Sequence, residues 1–274
     1  VTGCSYSGTS YDYTTIKYNS SGTQQWVATY NGPGNSSDKA CALAVDSSGN
    51  VYVTGQSYGS GTTGYDYATI KYNSSGAQQW VARYNGPDNG DDKACALAVD
   101  SSGNVYVTGQ SYSSGADDDY ATIKYNSSGG QQWVSRYNGP GNGDDIACAL
   151  AVDSSGNVCV TGQSYGTTNY DYATIKYNSS GTQQWVARYN GPGNGDDIAC
   201  ALAVDSIGNV YATGPSYGST TTGYDYATIK YGQADSIPPS STATPSPKPN
   251  ADGWNNTDVT VSLNATDNQG GSGV

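Results

Sequence analysis

The sequence predicts an all-β protein: a β-propeller-like array of four-stranded antiparallel blades, about five blade positions in an incomplete ring. Three observations predict it. The phrase AVDSSGNVYVTGQSY (44–58) returns at 98–112, as AVDSSGNVCVTGQSY at 151–165 and as AVDSIGNVYATGPSY at 203–217. Trp26, Trp80, Trp133 and Trp185 keep the same beat, 54, 53 and 52 residues apart. A period just above fifty, filled with short alternating runs, marks one supersecondary unit copied in series. The composition agrees: 37 Gly, 26 Tyr and 23 acids that are all Asp, with no Phe, Met or His. Asp, Gly, Asn and Ser form turns, whereas Tyr, Val, Thr and Ile favour strands. No stretch has a sustained 3.6-residue apolar period, so almost no helix is expected.

Residues 94–139 show how one unit divides. ACALAV (94–99) reads as a first strand, with Ala94, Ala96 and Ala98 on one face and Cys95, Leu97 and Val99 on the other. Side chains this small suit a crowded position near a propeller axis. DSSGN (100–104) is a hairpin loop in which Gly103 can take a positive φ. VYVTGQS (105–111) is the second strand, and a variable loop leads to the third, DYATIKY (119–125). NSSG (126–129) is a tight turn, QQWVSRY (131–137) the fourth strand, and NGPGNGDD the link to the next unit. Counted this way, the chain supplies strands two to four of one blade, three whole blades, and strands one to three of a fifth. An arc can fold because each blade packs only on its neighbours, but its ends expose apolar faces and unpaired edges.

The wording of these units resembles the SBBP repeat, the bacterial seven-bladed β-propeller repeat: a Gly/Asp-rich lead, an Ala-rich strand, then D-x-x-G-N-x-Y-x-T-G. That signature sits at Asp46, Gly49, Asn50, Tyr52, Thr54 and Gly55, recurs at Asp100, Gly103, Asn104, Tyr106, Thr108 and Gly109, and again from Asp153 and Asp205. Departures are Cys159 for Tyr, Ile207 for Ser, and Ala212 and Pro215 in the last copy. The resemblance covers roughly residues 1–232. It implies an exported bacterial scaffold, secreted or at the cell surface, and supplies no catalytic residues to transfer. Residues 1–234 are read as propeller repeats. The Pro/Ser/Thr burst over 237–254 marks a boundary, and 235–274 are read as a linker and a truncated Ig-like module whose strand alternates Val259, Val261 and Leu263. The chain starts mid-unit and ends abruptly, which reads as a fragment of a longer protein. No run of eighteen apolar residues exists, so membrane insertion is not expected.

The candidate chemistry is sparse. The net charge of −12 argues against nucleic acid, whose phosphates need Lys and Arg. Asp12, Asp66, Asp119, Asp171 and Asp225 open the third strand of every blade; catalysis breaks symmetry, so a structural role fits a residue that repeats. Lys17, Lys71, Lys124, Lys176 and Lys230, with Arg83, Arg136 and Arg188, repeat likewise. The pairs Asp91-Asp92, Asp144-Asp145 and Asp196-Asp197 are candidates for calcium, which wants six to eight oxygens, but they match no calcium-loop spacing and turn chemistry is the simpler reading. No other cofactor is expected. Cys41, Cys95, Cys148 and Cys200 occupy one position in successive blades, too far apart for a bridge, so buried free thiols are expected. Tyr11-Asp12-Tyr13 and its equivalents suit sugar stacking or, more simply, blade packing in which Tyr replaces Phe and its hydroxyl reaches water.

The hairpin loops barely differ between copies, whereas the connection between second and third strands varies. Specificity usually lives on loops carried by a rigid scaffold. The expected site is therefore this rim, with Tyr65, Asp117, Asp118 and Tyr170 as its contact residues and a protein or a glycan as partner of a monomeric domain. The function expected is a non-enzymatic exported scaffold for protein or cell-surface interaction. The alternatives are a glycan-binding module using the Tyr-rich loops, or the non-catalytic part of a larger secreted enzyme.

Overall fold

The computed structural model describes residues 1–61, 64–115, 117–221, 223–232, 240–248 and 257–266. Every helix or strand in those residues is a β-strand. β1 (Thr2–Tyr6), β2 (Tyr11–Tyr18) and β3 (Gln24–Tyr30) form a three-stranded antiparallel sheet. Three four-stranded sheets follow. They are β4 (Asp38–Val45) to β7 (Gln78–Tyr84) with β5 (Val51–Tyr58) and β6 (Tyr65–Tyr72) between, then β8 (Asp92–Val99), β9 (Val105–Tyr112), β10 (Asp118–Tyr125) and β11 (Gln131–Tyr137), then β12 (Asp145–Val152), β13 (Val158–Tyr165), β14 (Tyr170–Tyr177) and β15 (Gln183–Tyr189). A three-stranded sheet of β16 (Ala201–Val204), β17 (Val210–Ser219) and β18 (Gly223–Tyr231) ends the array. Among the described residues these are five blades in series with an unclosed ring, the first short of its first strand and the last short of its fourth. β19 (Ser240–Ser246) and β20 (Thr260–Thr266) pair as a separate two-stranded antiparallel sheet. Much of 235–274, including Trp254, lies outside the described residues.

The strands pair in simple hairpins. β9 meets β10 from Val105↔Tyr125 to Tyr112↔Asp118. The turns are held by their own side chains: Asn73 Oδ1 accepts the N–H groups of Ser75 and Ala77 at 3.0 and 2.9 Å, so the N-S-S sequons are turns first.

The hydrophobic cores lie between blades rather than inside them. Tyr52 and Tyr67 of the second blade pack with Val105, Val107, Ala121, Ile123 and Tyr125 of the third. This explains why VYVTG is buried on both faces of the sheet instead of alternating. Tyr13, Tyr67, Tyr120 and Tyr172 each donate a hydroxyl hydrogen bond to a carbonyl one blade on, at Ala68, Ala121, Ala173 and Ala227, over 3.2–3.3 Å. At these positions the hydroxyl reaches protein and not water, which corrects the expectation and explains why Phe would not serve: a buried carbonyl gains a partner. The end of the array shows the contrast. Tyr226 is 85% exposed, whereas its equivalents Tyr67, Tyr120 and Tyr172 are 0%.

All six cysteines are free thiols, but only Cys159 is buried. The expectation of a buried row is corrected because Cys41, Cys95 and Cys148 are the extra residue of a β-bulge: Ala94 pairs with Gly109 and Ala96 with Thr108, skipping Cys95. The bulge also breaks the Ala/Cys alternation expected of that strand.

Candidate functional site

The variable rim has a regular base. Where the second strand hands over to the third, cross-strand tyrosines meet as edge-on or tilted pairs: Tyr6–Tyr11, Tyr58–Tyr65, Tyr165–Tyr170 and Tyr217–Tyr224, with centroids 5.4–5.5 Å apart. In the third blade Asp118 stands opposite Tyr112, so a carboxylate replaces one ring. Asp118 accepts a hydrogen bond from the Gln110 amide. Burial and the neighbouring Asp144 push its pKa up. Asp117, one residue earlier, accepts the Ser113 N–H with its carbonyl at 2.9 Å. Tyr65, Asp118 and Tyr170 therefore occupy one structural position in three successive blades. The rim distributes them along the arc and does not gather them into one pocket.

The acidic pairs beneath the rim act as clamps. Asp91, Asp144 and Asp196 each accept, through Oδ1, the backbone N–H of Tyr65, Asp118 and Tyr170, all at 3.1 Å. Each ties the link of one blade to the third strand of the blade before it. Asp92, Asp145 and Asp197 are fully buried, and each accepts through Oδ2 the N–H of Gly86, Gly139 or Gly191. These oxygens are engaged by backbone donors. Among the described residues no group of three or more His, Cys, Asp or Glu side chains could hold a metal ion.

The third-strand acids are structural in the way their repetition implies. Asp66, Asp119 and Asp171 pair with Arg83, Arg136 and Arg188 at 2.8–3.0 Å. The same guanidiniums reach back to Tyr30, Tyr84 and Tyr137 of the preceding blade at 3.1–3.3 Å. Each arginine thus joins two blades while neutralising a buried carboxylate, the condition on which a buried charge is tolerated. In the first blade Thr29 stands in the arginine's place, and Asp12 accepts the Ser10 hydroxyl instead.

Sequence reasoning missed a second repeated constellation, at the opposite end of the strands. Asp100 Oδ1 accepts the N–H groups of Ser102 and Asn104, and Oδ2 accepts Asn104 Nδ2 and the Tyr106 hydroxyl, at 2.8–3.0 Å. Burial opposes the charge on Asp100, but these donors outweigh it and hold its pKa below the usual carboxylate range. Lys124 lies over the Tyr106 ring, 5.2 Å from the centroid, as Lys71 lies over Tyr52. Polar clefts of about 420 and 530 Å³ separate successive DSSGN loops here. The signal was the regular six-residue step from Asp to Tyr in D-x-x-G-N-x-Y.

Residues 25–61 and 79–115 match the model of the SBBP beta-propeller repeat. No curated protein matches the sequence. Among solved structures, the chain is similar to the periplasmic gluconolactonase PpgL of Pseudomonas aeruginosa, at 12% identity and a TM-score of 0.51, over 96% of this chain and 75% of that one. It is also similar to a gluconolactonase of Xanthomonas campestris at 13% identity and a TM-score of 0.41, over 74% of this chain and 65% of that one. PorZ, a surface component of the type-IX secretion system of Porphyromonas gingivalis, matches at 15% and 0.41, over 74% of this chain and 29% of that one. The chain thus spans just under two thirds of the Xanthomonas protein. At these identities the likeness is one of fold. It nonetheless corrects the expectation that the chain is no enzyme: an enzyme shares the fold along nearly the whole chain, so repeat symmetry and an absence of familiar motifs do not exclude catalysis. Each whole blade is built on the same four-stranded plan, and over residues 25–61 and 79–115 the chain carries SBBP beta-propeller repeats.

Proposed function

We propose that the chain is a recognition scaffold of an exported bacterial protein, with the variable rim contacting a protein or glycan at the cell surface. The observation that carries this reading is the contrast at the rim. Its backbone is pinned at Tyr65, Asp118 and Tyr170 by Asp91, Asp144 and Asp196, while the residues it projects change from blade to blade. A constant base with a changing display is the arrangement by which rigid folds carry specificity. Aromatic pairs with one carboxylate among them suit an amphipathic partner, because a tyrosine offers an apolar face and a hydroxyl together. Residues 235–274 belong, in this reading, to a linker and a following Ig-like module.

The test uses intact bacterial cells and a printed glycan array as probes. The wild-type chain binds one of them, and exchanging the 111–120 loop for the 164–172 loop, or replacing Tyr65 and Tyr170 by Ala, weakens binding. Unchanged binding after every rim exchange rejects the reading. Because a propeller of similar fold is a gluconolactonase, the same preparations are assayed for gluconolactone hydrolysis. Turnover that survives the rim exchanges points to a catalytic function instead.

A further inference from the structure

The interface between blades is repeated along the chain and broken once. At the first three boundaries, Trp26, Trp80 and Trp133 each donate through Nε1 to a carbonyl of the next blade, at Ser74, Ser127 and Ser179, over 3.1 Å. Lys17, Lys71 and Lys124 donate to the same three carbonyls at 3.0–3.4 Å. The turn that offers the carbonyl also covers the indole. A Cβ on Gly76, Gly129 or Gly181 would lie 2.6–2.8 Å from the ring. Each N-S-S-G turn is thus a lid that fits the indole only because its last residue is glycine.

At the fourth boundary the lid is lost from the sequence. Gly232-Gln233-Ala234-Asp235 stands where the other blades have Asn-Ser-Ser-Gly, so the sequence has aspartate in place of the turn glycine. Among the described residues Trp185 has no hydrogen-bond acceptor; its ring meets Tyr231 alone, at 5.7 Å. The same boundary carries a second departure from the repeat. Cys159 replaces the tyrosine that elsewhere donates to the DSSGN aspartate and lies beneath the lysine. Lys176 accordingly turns to Asp153, 3.8 Å away. A cleft of about 470 Å³ opens here, lined by Trp185, Gln184, Asn157, Lys176 and Tyr231 among others. Cleft volumes of this order accommodate small ligands.

We propose that this Trp185 cleft is a binding subsite for a neutral pyranose ring of a glycan. A sugar ring has an apolar C–H face to lay on an indole and hydroxyls at its edge. The cleft matches both: the indole offers the face, and its N–H, the Gln184 and Asn157 amides and Lys176 stand at its edge. The net charge of −12 disfavours an acidic ligand. Lys176 within the cleft disfavours a cation, which a tryptophan face would otherwise attract. Two departures from the repeat at one boundary are what a specific site requires and what blade packing does not. The cleft lies at the end of the strands opposite the variable rim, so it stands independently of the rim reading.

The test titrates the chain with neutral hexasaccharides (cello-, malto-, manno- and chitohexaose), followed by tryptophan fluorescence and calorimetry. Saturable binding to one of them is expected. It falls by at least about tenfold in Trp185→Ala, the loss of one stacked face. It falls likewise when residues 232–235 are changed to Asn-Ser-Ser-Gly, the turn sequence that covers the other three indoles. A Trp185→Phe variant retains most of the affinity, which separates lost stacking from lost folding. No binding to any of the four, or equal affinity in the restored-lid variant, overturns the proposal. So does binding that is lost only on exchanging the rim loops, which would assign the sugar to the rim.

Discussion

Replacing Gly129 by Ala isolates the contact that holds one blade on the next. Gly129 has a φ of +85°, and a Cβ there would lie 2.8 Å from Trp80 Cδ2 and 2.9 Å from Cγ. Both atoms belong to a rigid ring whose Nε1 is tied to Ser127 in the same turn, so the ring cannot swing away without breaking that bond. Two costs add. An L-residue in the left-handed region costs about 1–2 kcal/mol, and overpacking adds about 1–3 kcal/mol. The sum is about 2–5 kcal/mol. The first blade supplies the control. Gly22 occupies the same position in the same turn at a φ of +80°, with nothing within 4 Å of its Cβ. Gly22→Ala therefore carries the backbone cost alone, about 1–2 kcal/mol. Because an end blade is free to fray separately, a second comparison uses Trp80→Ala as background, where Gly129→Ala should likewise fall to about 1–2 kcal/mol. Urea unfolding followed by tryptophan fluorescence and circular dichroism gives the midpoints. Equal costs at Gly22 and Gly129, or no coupling between Gly129 and Trp80, would refute the reasoning.

Three further outcomes are expected. Carboxyl titration by NMR should place Asp100 below the ordinary carboxylate value, its hydrogen bonds outweighing burial, and Asp145 above it, where burial outweighs Ser164 and Gly139. Asp100 then contributes stability that is present above its unfolded pKa and lost as pH falls through its lowered folded value, while the cost of ionising buried Asp145 disappears higher up, as pH falls from its raised folded value to its unfolded one; Asp100→Asn should flatten the acid limb of the stability curve. Burial pushes the Cys159 thiol up to about 12, so near neutral pH Cys4 and Cys200, both exposed, should react with a thiol reagent while Cys159 does not, and all six should react in denaturant without reductant. Cys159→Tyr should stabilise the chain by about 1 kcal/mol, since it restores the hydroxyl partner of Asp153 found at Asp46, Asp100 and Asp205; a loss of stability would show that the fourth blade has repacked around the cysteine.

The strand plan was legible because each strand announces itself locally. DSSGN and NSSG punctuate runs of alternating β-formers, and the expected ends of ACALAV, VYVTGQS, DYATIKY and QQWVSRY fall within two residues of β8 to β11. What remained hidden depends on distance in space. Nothing local marks Cys95 as a bulge, because an extra small residue among small residues leaves the pattern looking intact. The Asp91 and Asp144 clamps read as possible calcium ligands, since a sequence displays carboxylates but not the backbone N–H groups that occupy them. The Tyr67 hydroxyl and Trp80 indole bonds cross from blade to blade, joining residues 54 and 47 positions apart. Of the Trp185 cleft only Cys159 stood out in the sequence; the loss of N-S-S-G after Tyr231 gained meaning once the fold brought both to one boundary.

The central claim is that one inter-blade interface recurs down the chain and is broken at Trp185. A crystal structure of the chain tests it most directly. Trp26, Trp80 and Trp133 are expected each with Nε1 about 3.1 Å from the Ser74, Ser127 and Ser179 carbonyls, under a glycine turn of the next blade, and Trp185 lining a cleft with no carbonyl on its Nε1. Indoles turned out to solvent at the first three boundaries, or Trp185 capped as the others are, would contradict it.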